Sequence, residues 1–231
     1  MTRDTISHVA WNWTGVVVNL ATVALLSPYI IRRLGTEGYG IWSLVFSIAG
    51  YFIVLDLGFR SAVVALTAKY AAQGRTREIS ELMSTTVAVS LGMSAALMGI
   101  TAFLSARANA LFHISAAYQD QFPRVVLIVG GGSAICFSMI LFNGCAEGLQ
   151  QFAAINKVRV AVTVARSLGY AALLAAGFGL PEMAAWTFAT SVAMFWGNYR
   201  TARRALPALE LSSRHVSPRA LKEAASYGVH T

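Results

Sequence analysis

The stretch VVLIVGGGSAICFSMILFNGCA, residues 125–146, is apolar or small almost throughout and carries no charged side chain. As an α-helix rising 1.5 Å per residue it is about 33 Å long, and the hydrocarbon core of a bilayer is about 30 Å thick. A helix of that length, apolar on every face, reads as a membrane span. Residues 9–31, 39–59, 82–104, 158–178 and 183–201 repeat the pattern, so about six transmembrane helices are expected. The first is too long for a signal-peptide core and has no clear cleavage site after it, so it belongs to the mature protein. The whole chain agrees: of 231 residues, 56% are hydrophobic and 12% charged, against about 25% charged in soluble domains. Mean hydropathy is +0.59. A disordered chain, a collagen and a disulfide scaffold are excluded, and a soluble enzyme is disfavoured. The expected fold class is all-α integral membrane.

Eighteen Lys and Arg against ten Asp and Glu give a net charge of +8. Nucleic acid is not the expected partner, because the cations sit at the ends of apolar segments and not on one polar face. In that position they attract anionic lipid headgroups and orient the chain. With the N-terminus cytoplasmic, the inner segments hold Arg3, the group Arg60, Lys69, Arg75 and Arg77, the pair Lys157 and Arg159, and six more between Arg200 and Lys222. The outer segments hold only Arg32, Arg33, Arg107 and Arg124. Both termini are therefore expected in the cytoplasm, as an even number of spans requires. The two cysteines, Cys136 and Cys145, are nine residues apart on one helix, about 13 Å, too far for a disulfide. They read as small packing residues, and the four scattered histidines show no metal-ligand spacing.

Two connections have local texture. Arg32 to Gly40 is a glycine-punctuated link in which Gly35 suits a helix C-cap. Ala68 to Glu81 alternates small and charged residues and reads as the interfacial end of an amphipathic helix. No Gly-x-x-x-x-Gly-Lys loop is present, so no ATP site is expected. Gly130-Gly131-Gly132 sits inside a span, where small residues let helices approach closely. Trp11, Trp13, Trp42, Trp186 and Trp196 fall mostly near span ends, as an aromatic belt does.

Polar groups inside a span are more informative, since each is costly unless paired or hydrated. Asn12 and Asn19 are two turns apart on one face, suited to interhelical hydrogen bonding or to a polar cavity. Asp56 and Arg60 are one turn apart, so a local ion pair is expected, with a charge that switches partners during transport as the functional reading. Asn143 and Glu147 are likewise one turn apart at the inner end of the fourth span. Arg166 stands in the middle of the fifth span with no acid three or four residues away. An unpaired arginine there costs at least about 2.5–3.5 kcal/mol. It must face a partner helix or a hydrated cavity: the candidates are anion binding, with Arg159 two turns earlier on the same face, or pairing with Asp56 or Glu147. Lys157 reads as a snorkelling anchor.

The stretches IIRRLGTEGYGIWSL (30–44), LDLGFR (55–60), TREISEL (76–82), EGLQQFAAIN (147–156) and LKEAASYG (221–228), in this order and spacing, resemble the polysaccharide flippases. These are O-antigen and exopolysaccharide transporters of the multidrug/oligosaccharidyl-lipid/polysaccharide (MATE-like) exporter superfamily. The resemblance implies a helical carrier with two lobes of six helices around a central cavity. It would move an undecaprenyl-diphosphate-linked oligosaccharide across a bacterial inner membrane for lipopolysaccharide or exopolysaccharide biosynthesis. The resemblance further implies cavity cations that attend the diphosphate and a cycle driven by an ion gradient, with no bound cofactor or metal. On that reading residues 1–202 form one lobe, and residues 203–231 form a basic cytoplasmic linker ending where a seventh helix starts. Transport would then need the second half, or another copy of the chain, to close the cavity. A drug/cation antiporter of the same superfamily is the nearest alternative, but it would use membrane acids where this chain offers Arg166. A membrane enzyme would need carboxylate or histidine clusters on long loops, and a non-transporting membrane protein is a further alternative.

Overall fold

The computed structural model describes residues 3–54, 58–112, 114–212 and 215–229, with the side chains at 3–19, 21, 23, 51–54, 138, 225, 228 and 229 outside that description. Every regular element among the described residues is helical: α1 (Arg3–Val54), α2 (Phe59–Ala72), α3 (Thr76–Ala106), α4 (Ala108–Leu111), α5 (Phe122–Gly148), α6 (Phe152–Ala175), α7 (Leu180–Ala205) and α8 (Pro218–Val229). Three of them, α3, α5 and α6, are long and apolar enough to cross a bilayer. The chain is an all-α membrane protein.

The expected link at Gly35 is a break in α1. Its φ of 77° and ψ of 170° split α1 into helical runs at 3–34 and 36–54, a conformation open to glycine at no steric cost. The Tyr118 hydroxyl donates to the Leu34 carbonyl at 3.1 Å, meeting an acceptor freed by the break. The Ala68–Glu81 stretch holds the end of one helix and the start of the next. α2 stops at Ala72, the chain turns at Gly74 (φ 68°), and α3 begins at Thr76. Helix α6 also ends earlier than expected, at Ala175, with Gly177 left-handed behind it. Pro181 in the first turn of α7 lacks only an N–H that the helix would not use. The Glu182 carboxylate accepts from the Gly179 N–H at 2.9 Å at the same end.

Helix α5 is the hub, packed against α2, α3 and α7. Without water to expel, helices in lipid gain by close van der Waals contact, and that favours small residues. Gly144 and Gly148 form a small-xxx-small pair against α2. A methyl group on Gly148 would stand 2.8 Å from the Val64 carbonyl oxygen, and one on Gly144 would stand 3.2 Å from that of Arg60. Gly130 meets the Thr101 side chain of α3, and a methyl group on Gly132 would stand 3.6 Å from the Phe188 Cα of α7. Of the glycine triplet, Gly130 is the tightly packed member, while Gly131 and Gly132 have room for a methyl group at ordinary contact distance.

The apolar core lies mainly at the two ends of the bundle. One cluster joins Val63, Leu66, Leu82, Met83, Cys145, Ile155 and Ala202. The other joins Ile30, Trp42, Val45, Phe122, Val125, Leu174 and Leu180. Trp42 is therefore not a belt residue. It is 6% exposed and meets the Tyr170 ring edge-on, with centroids 5.5 Å apart. Trp186 is half-exposed, lies over Gly169, and donates to the Ala165 carbonyl at 3.3 Å.

Beyond α7 the chain folds back along α3. Arg203 donates to the Leu209 carbonyl. The N–H groups of Glu210, Ser212 and Ser217 donate to the hydroxyls of Ser80, Ser84 and Thr85 at 3.2, 3.2 and 2.9 Å. Helix α8 then packs on α2, where Glu223 accepts from the Tyr70 hydroxyl at 2.7 Å and from Lys69 at 3.3 Å.

Replacing Gly148 with Val should cost about 1–3 kcal/mol, the usual range for overpacking. Gly40→Ala, where nothing lies within 4 Å, should be neutral or gain up to about 1 kcal/mol of helix propensity. Thermal unfolding in detergent, followed by circular dichroism, checks both. Burial, aided by the bond to Glu223, pushes the Tyr70 hydroxyl up to about 12. The same bond, led by Tyr70, holds the Glu223 carboxyl below its usual range. A raised group stabilises fully below its unfolded value, about 10 for tyrosine, and a lowered one above about 4.3. The Tyr70–Glu223 contact should therefore hold at neutral pH, fail as pH rises towards 12, and fail again as pH falls below the ordinary glutamate range. In a spectrophotometric titration Tyr70→Phe should remove one late-ionising tyrosine.

Candidate functional site

Arg166 projects from the middle of α6 towards α7. Its Nε donates to Thr190 Oγ1 at 2.8 Å and its Nη2 to Ser191 Oγ at 3.3 Å. The hydroxyls can accept because their own hydrogens are spent along α7. Thr190 donates to the Trp186 or Thr187 carbonyl at 2.9 Å, and Ser191 to that of Thr187 at 2.8 Å. Thr187 gives its hydrogen to the Met183 carbonyl at 2.8 Å, so Tyr170, 2.6 Å away, donates to Thr187. Trp42 braces the Tyr170 ring from behind. The result is a row of hydroxyl oxygens held with lone pairs towards one guanidinium.

Beside it lies a cavity of about 290 Å³, lined by Phe46, Ala49 and Gly50 of α1, by Ser133, Cys136, Phe137, Met139 and Ile140 among the α5 residues, and by Arg166, Thr187 and Ser191. Among the described residues no carboxylate forms an ion pair with Arg166. Two hydrogen bonds to a charged group contribute about 1.5–3 kcal/mol each, enough to offset an insertion cost of about 2.5–3.5 kcal/mol. The hydroxyls thus make the arginine tolerable in hydrocarbon while leaving its charge unneutralised. Such a site attracts an anion and repels a cation.

The other expected residues divide. Pairing of Arg166 with Glu147 is overturned, because Glu147 is taken by Arg60: Nη2 of Arg60 reaches both carboxylate oxygens, at 2.6 and 2.7 Å. This bridge ties the start of α2 to the end of α5. The expected Asp56–Arg60 pair involves Asp56, which lies outside the described residues. Arg159 does not extend a cationic stripe into the cavity. It is exposed and donates to Asn156 Oδ1 at 3.4 Å. Asn143 is buried one turn from Glu147, with no donor to its Oδ1 among the described residues. Asn12 and Asn19 fall within α1, and their side chains lie outside the described residues.

Sequence reasoning missed Thr187, Thr190 and Ser191. Their spacing was the available signal, since hydroxyls at i, i+3 and i+4 share one face of a helix. It also missed Asn198, two turns beyond Ser191, which is 1% exposed with neither amide atom bonded to protein.

Removing one member of the Arg60–Glu147 bridge leaves the other half-sheltered and unpaired. Glu147→Gln and Arg60→Gln should each lower stability by about 1–2 kcal/mol, below the 3–5 kcal/mol of a fully buried pair because the arginine is partly exposed. The double variant should lose less than the sum, and a double-mutant cycle on thermal unfolding measures that coupling.

Sequence comparison agrees with the membrane fold. The family described as "Polysaccharide biosynthesis protein" matches residues 6–226. No match was found among curated proteins or among solved structures. With the family match running over nearly its whole length, the chain belongs to the polysaccharide biosynthesis protein family, a family of flippase type, and has its role in polysaccharide biosynthesis.

Proposed function

We propose that the chain serves to move an undecaprenyl-diphosphate-linked oligosaccharide from the cytoplasmic to the periplasmic leaflet of a bacterial inner membrane. The Arg166 cavity would receive the diphosphate. The observation that carries this reading is the unneutralised guanidinium: its hydroxyl partners at 2.8 and 3.3 Å leave its charge free for a ligand. At about 290 Å³ the cavity is at the small end of ligand pockets, about 300–1,000 Å³. That suits a phosphate-bearing head and leaves the glycan outside it. The glycan would occupy space between this bundle and a second set of helices, from further residues or another chain, because alternating access needs two bodies that rock about a shared site. Both termini would lie in the cytoplasm, with an ion gradient driving the cycle and no bound cofactor.

Reconstitution of the complete carrier with a fluorescent lipid-linked oligosaccharide tests this. Arg166→Ala should slow translocation about tenfold or more, the equivalent of one charged hydrogen bond. Arg166→Lys should keep part of the rate, since a lysine retains the charge but not the planar fork. Wild-type rates in both variants would remove Arg166 from the transport path.

A further inference from the structure

A second cavity, of about 380 Å³, lies at the far end of α3 from α4, between α2, the first turns of α3, and α8. Its cations are Lys69, Arg75, Arg77 and Arg219, and its carboxylates are Glu78, Glu81 and Glu223. A mixed cluster of this kind is commonly only a solvated face, but its bonding pattern is specific. Glu78 accepts from Arg75 Nε at 2.8 Å and Glu81 from Arg77 Nε at 3.2 Å. Glu223 is held by Tyr70 and Lys69. Each carboxylate is thus occupied, and two of them grip their arginines by Nε. A guanidinium has five N–H donors, so among the described residues both Nη groups of Arg77 and one of Arg75 are left available, with Arg219 alongside.

Two further features point the same way. The first turn of α8, which lines the cavity through Arg219 and Ala220, contains no acidic residue. Its amides and dipole therefore favour an anion. The cavity also opens at the N-terminal end of α3, a helix long and apolar enough to cross a bilayer.

We propose that this basin binds a phosphate group, presented by an anionic lipid headgroup or as a free ion, through Arg77, Arg219 and the α8 N-terminus. The proposal is independent of the transport reading, because none of these residues lines the Arg166 cavity.

The test uses the whole chain purified in detergent, with bound lipid read by native mass spectrometry. Phosphatidylglycerol should be retained about fivefold over phosphatidylcholine per guanidinium engaged, the ratio that matches about 1 kcal/mol per basic residue at a membrane surface. In the Arg77→Gln/Arg219→Gln double variant the preference should fall to parity, while the corresponding double Lys variant should keep part of it. Both side chains are exposed, and an unchanged circular dichroism spectrum separates lost binding from lost fold. Displacement of phosphatidylglycerol by millimolar inorganic phosphate supports one shared site. Phosphate binding that is lost in the Gln variant, without any lipid preference, assigns the site to the free ion. Equal retention of both lipids with no phosphate binding overturns the proposal, as does a preference unchanged in the Gln variant.

Discussion

Close approach of helix backbones around α5 is the constraint on which the rest of this bundle depends. In lipid no hydrophobic force draws one apolar helix to another, so association rests on packing and on polar contacts. Glycines on two faces of α5, Gly144 and Gly148 towards α2 and Gly130 towards α3, let those helices come close to its backbone. Larger residues there would push those helices outward, and the polar contacts that need exact reach would open. The Arg60–Glu147 bridge is one of these: it sits where Gly144 and Gly148 already hold α2 against α5.

The Arg166 cavity follows from the same geometry. Helix α7 lies tightly on α5, which fixes Thr187 and Ser191 at the cavity wall, and α6 lies beside α7 with its arginine turned inward. The site is made of ordinary hydroxyls whose hydrogens are consumed by their own helix. Among the described residues the charge is thereby stabilised by dipoles and not by a counter-charge. A carboxylate partner would have stabilised the arginine more strongly and left it electrostatically silent towards a ligand.

Much of this was legible in the sequence. The apolar runs, the break at Gly35, the glycine triplet and the isolation of Arg166 each follow from local rules: span length, left-handed backbone, small-residue packing and the cost of a lone charge. What escaped reading was the pairing of distant residues. Arg60 and Glu147 are 87 positions apart, and no local rule joins them. Trp42 resembles a belt residue in sequence because span ends and bundle cores are equally apolar neighbourhoods. Burial distinguishes them only once the helices are assembled. The hydroxyl triplet on α7 was readable in principle, since its face was set by spacing alone, but serines and threonines are common in spans and do not announce a partner.

The clasp of α3 on the segment after α7 has a consequence for how that segment can vary. Ser80, Ser84 and Thr85 take hold of main-chain amides at positions 210, 212 and 217 and do not read the side chains there. Drift of the sequence at those three sites is therefore nearly unconstrained by the clasp, with one exception. Proline, which has no amide hydrogen to give, is the substitution that natural variation should avoid at each of them.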